Sequence, residues 1–177
     1  MAIKTSFVSD DFFGFLDDGE GGFLGLSDLD LGIGRLPVNS LDEAEGVVQK
    51  LLRYSDPRES LGSWRQKLDF VSDDVDVDWE QILTLISDRI AARVDTVYPQ
   101  FNVNKLYADA YLQVSSAGNQ SYPKLREDLL RSIQEGNLIT TYMGHGGEVN
   151  WASEDILQLE DCKSFANGAR LPLFITV

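Results

Sequence analysis

The segment Thr141-Tyr142-Met143-Gly144-His145-Gly146-Gly147-Glu148 holds the single histidine of the chain, at the point where an apolar run gives way to glycines. Imidazole is the side chain whose ordinary pKa lies nearest neutrality, and flanking glycines let the backbone turn sharply or come close to a substrate. Such a group suits general base and acid chemistry, and the same pattern also describes a histidine in an ordinary tight turn. Trp151, six residues further on, either lines a pocket beside His145 or packs in the core. Cys162, the one cysteine, invites pairing with His145. Leu159 and Phe165 lie three residues to either side of it, which predicts the buried stripe of an amphipathic helix, where cysteine acts as a small hydrophobe.

Two acidic clusters, Asp17-Asp18-Gly19-Glu20 and Asp73-Asp74-Val75-Asp76-Val77-Asp78, offer several oxygens to Ca²⁺. Neither matches an EF-hand loop, and each also reads as a solvated turn, so no residue is assigned as a metal ligand. Gly32-Ile33-Gly34-Arg35 opens like a dinucleotide fingerprint but has Pro37 where the third glycine belongs. Walker A, His-Glu-x-x-His and Gly-x-Ser-x-Gly patterns are absent from the sequence.

The elements that must position His145 follow from alternating periods. Leu31 to Val38 reads as a strand, and Ser40-Leu41-Asp42-Glu43 supplies a capping box for a helix with Leu41, Ala44, Val47, Val48, Leu51 and Leu52 at helical spacing. A polar linker, Ser55 to Ser63, follows. Leu68 to Val71 predicts a second strand, and Asp78 with Gln81 caps a helix expected to bury Ile82, Leu85, Ile86, Ile90 and Val94. Val103 to Tyr111 is a third strand. Ser121 and Pro123 open a helix with Leu125, Leu129 and Ile133 on one face and Gly136 as its C-cap. Leu138 to Met143 is a fourth strand ending at His145, Ser153 caps a last helix, and Leu171 to Val177 is a fifth strand.

This βα alternation predicts an α/β fold, a largely parallel sheet with helices on both faces. The sequence divides into an acidic lead-in, residues 1–29, and the α/β core, 30–177. Ligands of such sheets collect beyond the carboxyl ends of the strands, where His145, Asp73, Asp74 and Gln113 to Ser116 all fall. Ending on the interior-type run Pro172 to Val177, the chain reads as an internal piece of a larger protein.

Fifteen basic against twenty-nine acidic residues leave a net charge of −14, which disfavours nucleic acid and anionic membranes and favours cationic partners or Ca²⁺. No apolar stretch reaches the roughly 20 residues of a membrane span, and no signal sequence opens the chain. One cysteine excludes an internal disulfide without fixing the compartment.

The segment Tyr142 to Ala152 closely resembles the gingipain-like cysteine peptidases of family C25. Val8-Ser9-Asp10-Asp11-Phe12-Phe13-Gly14, Leu31 to Val38 and Leu171 to Thr176 resemble further family blocks in the same order. Within the family the chain looks most like the PorU branch, the cell-surface sortase or signal peptidase of type IX secretion in Bacteroidetes. The resemblance implies a caspase-like fold and a Cys–His pair needing no cofactor, while the net charge and the acidic loops leave calcium possible. It implies that His145 is the catalytic base and acid, that Gly146 lends an oxyanion N–H, and that Asp10 contacts substrate; Trp151, as the pocket-lining reading has it, is a further candidate substrate contact. It also implies that the nucleophilic cysteine lies just past Val177 and that the carboxylate orienting the histidine precedes the Asp10 block, so that this piece alone is inert. The implied partners are secreted cargo with C-terminal sorting domains and other type IX components, at the outer face of the outer membrane or in the medium. A second reading is a noncatalytic caspase-like scaffold that binds calcium or a cationic segment.

Overall fold

The computed structural model describes residues 10–21, 27–116 and 119–177; Val8 and Ser9 of the first family block lie outside them. The chain forms two compact units, Met1–Gln49 and Lys50–Val177. In the first unit the 3₁₀ turn Asp11–Gly14 is tied to the return of the chain by the Asp30 N–H, which donates to the Gly14 carbonyl at 3.0 Å. The strand expected over Leu31 to Val38 does not form. Among the described residues no other strand pairs with this segment, and Val38 N–H closes a tight turn onto Leu36 O at 2.9 Å; alternation alone makes no sheet without a ladder partner. Helix α1, Leu41–Ser55, begins as expected: Ser40 Oγ accepts from the Glu43 N–H, while the Glu43 carboxylate reaches back to the Asn39 N–H. None of its residues is buried.

In the second unit the chain runs through α2 (Pro57–Ser60), β1 (Lys67–Ser72), α3 (Gln81–Val97), β2 (Asn102–Tyr107), β3 (Val114–Ser116) and β4 (Asn119–Ser121). It continues through α4 (Pro123–Glu135), β5 (Ile139–Met143), β6 (Asn150–Trp151), β7 (Leu157–Gln158), α5 (Leu159–Ser164) and β8 (Leu173–Thr176). Strands β2-β1-β5-β8 form one parallel sheet in that order, and β3/β4 and β6/β7 are small antiparallel pairs. The expected α/β architecture is therefore present.

Strand alternation divides the core between the two faces of the sheet. Val71, Leu106 and Tyr142 point to one face, where α4 packs Leu125, Leu129 and Ile133, all three fully buried. Pro123 starts α4, and Gly136, at φ +98°, ends it with its N–H on the Ser132 and Ile133 carbonyls. Leu68, Phe70 and Val103 point to the other face, against α3.

Here the helix differs from its sequence reading. Ala91 and Ser87 are buried, Val94 packs beside them and Thr84 meets Ser72, whereas Ile82, Leu85, Ile86 and Ile90 are exposed. Residues 84, 87, 91 and 94 are spaced like a helix face, and their small side chains let α3 lie close to the sheet.

The last helix also departs from expectation. Residues Asn150–Gln158 form the β6/β7 hairpin, with Ala152 and Asp155 left-handed, and α5 starts only at Leu159. Its N-terminus is held by Asp161, whose carboxylate accepts the Gln158 N–H at 2.8 Å; Ser153 caps nothing. This later start rotates Cys162 to the exposed side, so the cysteine is not on a buried stripe. Strand β8 is an edge, with Leu173, Phe174 and Ile175 exposed.

Candidate active site

The site follows from the placing of β1 beside β5. Ser72 and Met143 are register partners, and Asp73 N–H continues the ladder to Met143 O at 3.1 Å, so the residues that follow the two strands leave the sheet side by side. Close approach is possible because Gly144 has no side chain: a Cβ there would lie 2.5 Å from Asp73 Cβ and 2.7 Å from the Tyr142 hydroxyl.

Asp73 Oδ2 receives the backbone N–H of His145 at 3.0 Å and lies 3.1 Å from its Nδ1. A carboxylate there keeps the proton on Nδ1 and fixes the ring plane. Burial pushes the Asp73 carboxyl above the usual carboxylate range, against the opposing pull of the His145 contacts. The Tyr142 hydroxyl donates to the His145 carbonyl at 2.6 Å, and burial with the nearby Asp73 charge holds that phenol far above its ordinary range.

The second ring nitrogen faces the 3₁₀ turn Asp78–Glu80. Nε2 lies 3.4 Å from Glu80 Oε1, an ion pair when the ring is protonated. Glu80 Oε2 accepts the N–H groups of Asp76 and Val77 at 2.8 and 3.0 Å, which holds the carboxylate in place and caps the 3₁₀ turn; α3 itself has no side-chain cap, so the expected Asp78 cap is not made. Trp79 meets the imidazole edge to face, with centroids 6.1 Å apart. The ring itself is half exposed.

Backbone donors converge on the same rim. Ala152 N–H bonds to His145 O and Gly147 N–H to Asn150 O, so Gly146 and Trp151 form a non-hydrogen-bonded antiparallel bridge. The Gly146 N–H consequently has no partner among the described residues. It borders a cavity of about 260 Å³ shared with Gly144, Trp151 and Val177. Trp151 stacks on Tyr142 at 4.4 Å and turns an edge to Phe174. It is thus both wall and packing. Gly144 N–H donates to Val177 O at 3.2 Å, which places the end of β8 directly beside the His145 segment.

The model for peptidase family C25 matches residues 2–177. This chain belongs to peptidase family C25. It superposes on the crystal structure of the Arg-specific cysteine proteinase gingipain R (RgpB) with a TM-score of 0.62 at 16% identity, over 99% of this chain and 37% of that one. The complex of Porphyromonas gingivalis RgpB pro- and mature domains matches with a TM-score of 0.57 at 17% identity, over 99% of this chain and 38% of that one. At such identities the likeness establishes the gingipain fold, and the chain spans little more than a third of those structures. No curated protein matches it.

Of the residues singled out from the sequence, His145, Gly146 and Trp151 of this C25 chain share one rim. Asp10 belongs to the other unit, where Arg35 binds its carboxylate through Nε at 2.8 Å and through a guanidinium nitrogen, holding the Asp10 carboxyl below its usual range. The carboxylate expected before the Asp10 block falls outside the described residues; within them it is Asp73 that meets Nδ1. Glu80 and Trp79 were not foreseen. The available signal was Glu80 at the start of a helix, four residues after Asp76, where a carboxylate commonly turns back to free N–H groups.

Proposed function

We propose that this chain is the histidine-bearing part of a cysteine endopeptidase in which a thiol supplied just beyond Val177 completes the centre. The observation that carries the reading is the Gly144 N–H bond to Val177 O beside an imidazole anchored by Asp73. Nε2 of His145 takes the thiol proton, and the thiolate attacks the scissile carbonyl. The oxyanion is met by the unpartnered Gly146 N–H, and the imidazolium returns its proton to the leaving amine as the C–N bond breaks. The thioester left on the enzyme is then cleaved by water or by an amine acceptor.

The motif blocks support the PorU branch: a sortase or signal peptidase that cuts C-terminal sorting domains from type IX cargo at the outer-membrane surface, with other type IX components as partners. The 177-residue piece by itself is then inert. Asp10 contributes to substrate recognition on this reading only if a substrate group displaces Arg35 from it.

The test extends the protein past Val177 and treats it with an electrophilic peptide probe. Stoichiometric labelling of a cysteine within a few residues of Val177, lost in His145→Ala, is expected. Absence of such a cysteine, or labelling indifferent to His145→Ala, overturns the proposal in favour of a noncatalytic scaffold. Cleavage of a sorting-domain substrate then separates the PorU assignment from a general peptidase.

A further inference from the structure

Among the described residues, the two non-glycine positions with left-handed backbone are Ala152, at φ 58°, and Asp155, at φ 57°, and both lie in the turn of the β6/β7 hairpin. Such a conformation is unfavourable for a residue with a side chain and persists only where its surroundings impose it. Asn150 braces the turn from within. Its Nδ2 donates to the Ala152 carbonyl at 3.0 Å and to Asp155 Oδ1 at 2.8 Å; both partners are acceptors, so the amide nitrogen must face them. Arg126 braces the turn from outside. On α4, next to the fully buried Leu125, it donates from Nη1 to the Asp155 carbonyl at 2.9 Å and from Nη2 to Asp161 Oδ1 at 2.6 Å. The guanidinium thus ties the turn and the start of α5 to a helix anchored in the core.

The braced residues are those that flank the oxyanion donor. Ala152 N–H bonds to His145 O and Asn150 O accepts the Gly147 N–H, each at 2.9 Å, so the hairpin grips the residue on either side of Gly146 and leaves the Gly146 N–H directed away from it. Asn150 serves both bonds, one through its own carbonyl and the other by holding Ala152. Its amide also packs against Gly147, where a Cβ would lie 2.9 Å from Asn150 Oδ1. An oxyanion donor works only when it is fixed in advance where charge develops, and a displacement of ~1 Å costs on the order of 10² in rate.

We propose that Asn150 and Arg126 are positioning residues for the reaction: they hold the left-handed turn that sets the Gly146 N–H where the oxyanion forms. The role rests on the peptidase reading above. Neither residue contacts the imidazole, so loss of either spares thiolate formation and acts on the oxyanion alone.

The experiment uses the protein extended past Val177 and compares the parent with Asn150→Asp, which turns both hydrogen bonds of the amide into contacts between oxygens, and with Arg126→Gln. Three quantities are read. The first is kcat and KM for a peptide substrate. The second is the inhibition constant of a peptide aldehyde, whose carbonyl becomes an oxyanion when the thiolate adds to it. The third is the rate at which iodoacetamide alkylates the thiol, a displacement of iodide that forms no oxyanion. Alkylation is followed by peptide mass spectrometry at the thiol beyond Val177, apart from the exposed Cys162. In Asn150→Asp, kcat is expected to fall roughly 10²-fold with KM within about twofold, the aldehyde to bind roughly 10²-fold more weakly, and alkylation to keep its rate and pH dependence. Arg126→Gln follows the same pattern by about tenfold, and it decides the matter if Asn150→Asp lacks the near-UV dichroism of a folded chain. Unchanged kcat and aldehyde affinity in the folded variants overturn the proposal. So does alkylation that slows in step with kcat, since the thiol–imidazole pair is then what was disturbed. A parent with no alkylated thiol beyond Val177 overturns the peptidase reading and this role with it, a result that no pattern among the variants can mimic.

Discussion

One oxygen of Asp73 serves both the backbone N–H and the ring Nδ1 of His145, 72 residues away in sequence. The backbone bond fixes where His145 leaves β5, and the ring contact fixes which nitrogen carries the proton. In the complete peptidase, Asp73→Asn is expected to lower kcat by about 10²–10⁴ while the fold persists. Because His145 is the only histidine, ¹⁵N NMR of the ring reads its tautomer without assignment: Nδ1–H in the parent, a changed tautomer balance in Asp73→Asn. An unaltered ring spectrum would remove Asp73 from the positioning role.

Two glycines on either side of His145 are expected to respond differently. Gly144→Ala drives a methyl into Asp73 and the Tyr142 hydroxyl and costs about 1–3 kcal/mol in urea unfolding, since the buried neighbours cannot both retreat. Gly146→Ala meets nothing closer than Asn150 O at 3.8 Å and leaves stability within about 0.5 kcal/mol. Equal destabilisation by the two substitutions would contradict the close packing assigned to Gly144.

Asp69 is a buried anchor on the α4 face of the sheet, accepting from Asn104 at 3.1 Å and from Ser132 and Asn137 at 2.6 Å each. Asp69→Ala strands these donors and is expected to cost about 3 kcal/mol. Burial outweighs the three hydrogen bonds and raises the Asp69 carboxyl above its ordinary value. A raised folded value means stability present below the unfolded pKa and lost as pH rises through the folded one. Urea titrations of the parent and Asp69→Asn should therefore show the parent losing ground to the variant from about pH 4 upward. A gap independent of pH would show that the shift is absent.

Alkaline titration tests the same core from the opposite end. Burial raises the phenols of Tyr122 and Tyr142, and the Asp74 and Asp73 charges raise them further. Their contribution to stability is held below the ordinary tyrosine pKa and lost as pH climbs beyond it. Of the six tyrosines, these two are expected to ionise only as the protein unfolds, seen as a step in 295 nm absorbance coincident with loss of near-UV dichroism. Smooth titration of all six in the folded state would refute their burial.

Much of the framework could be read from local pattern. Pro123 and Gly136 bound α4 because a fixed φ suits a first turn and φ +98° suits glycine, and Leu125, Leu129 and Ile133 lie on its inner face as their spacing requires. The histidine at a strand end was legible for the same reason. Local pattern misled where several apolar faces competed. Helix α3 has more apolar residues than one sheet can cover, and the small face, Ser87 and Ala91, is the one that fits. Around Ser153 a hairpin with two left-handed residues replaced the expected first helical turn, which moved Cys162 outward.

By itself, then, the sequence determined the alternation of strands and helices, the position of His145 at the close of an apolar strand, and the family. Tertiary structure alone decided the partners of the imidazole. Asp73 reaches Nδ1 because the sheet order sets β1 against β5, and Glu80 reaches Nε2 because a 3₁₀ turn precedes α3. Contacts between residues far apart in the chain depend on strand order and helix rotation, which arise from the packing of whole faces and leave no mark in the spacing of nearby residues.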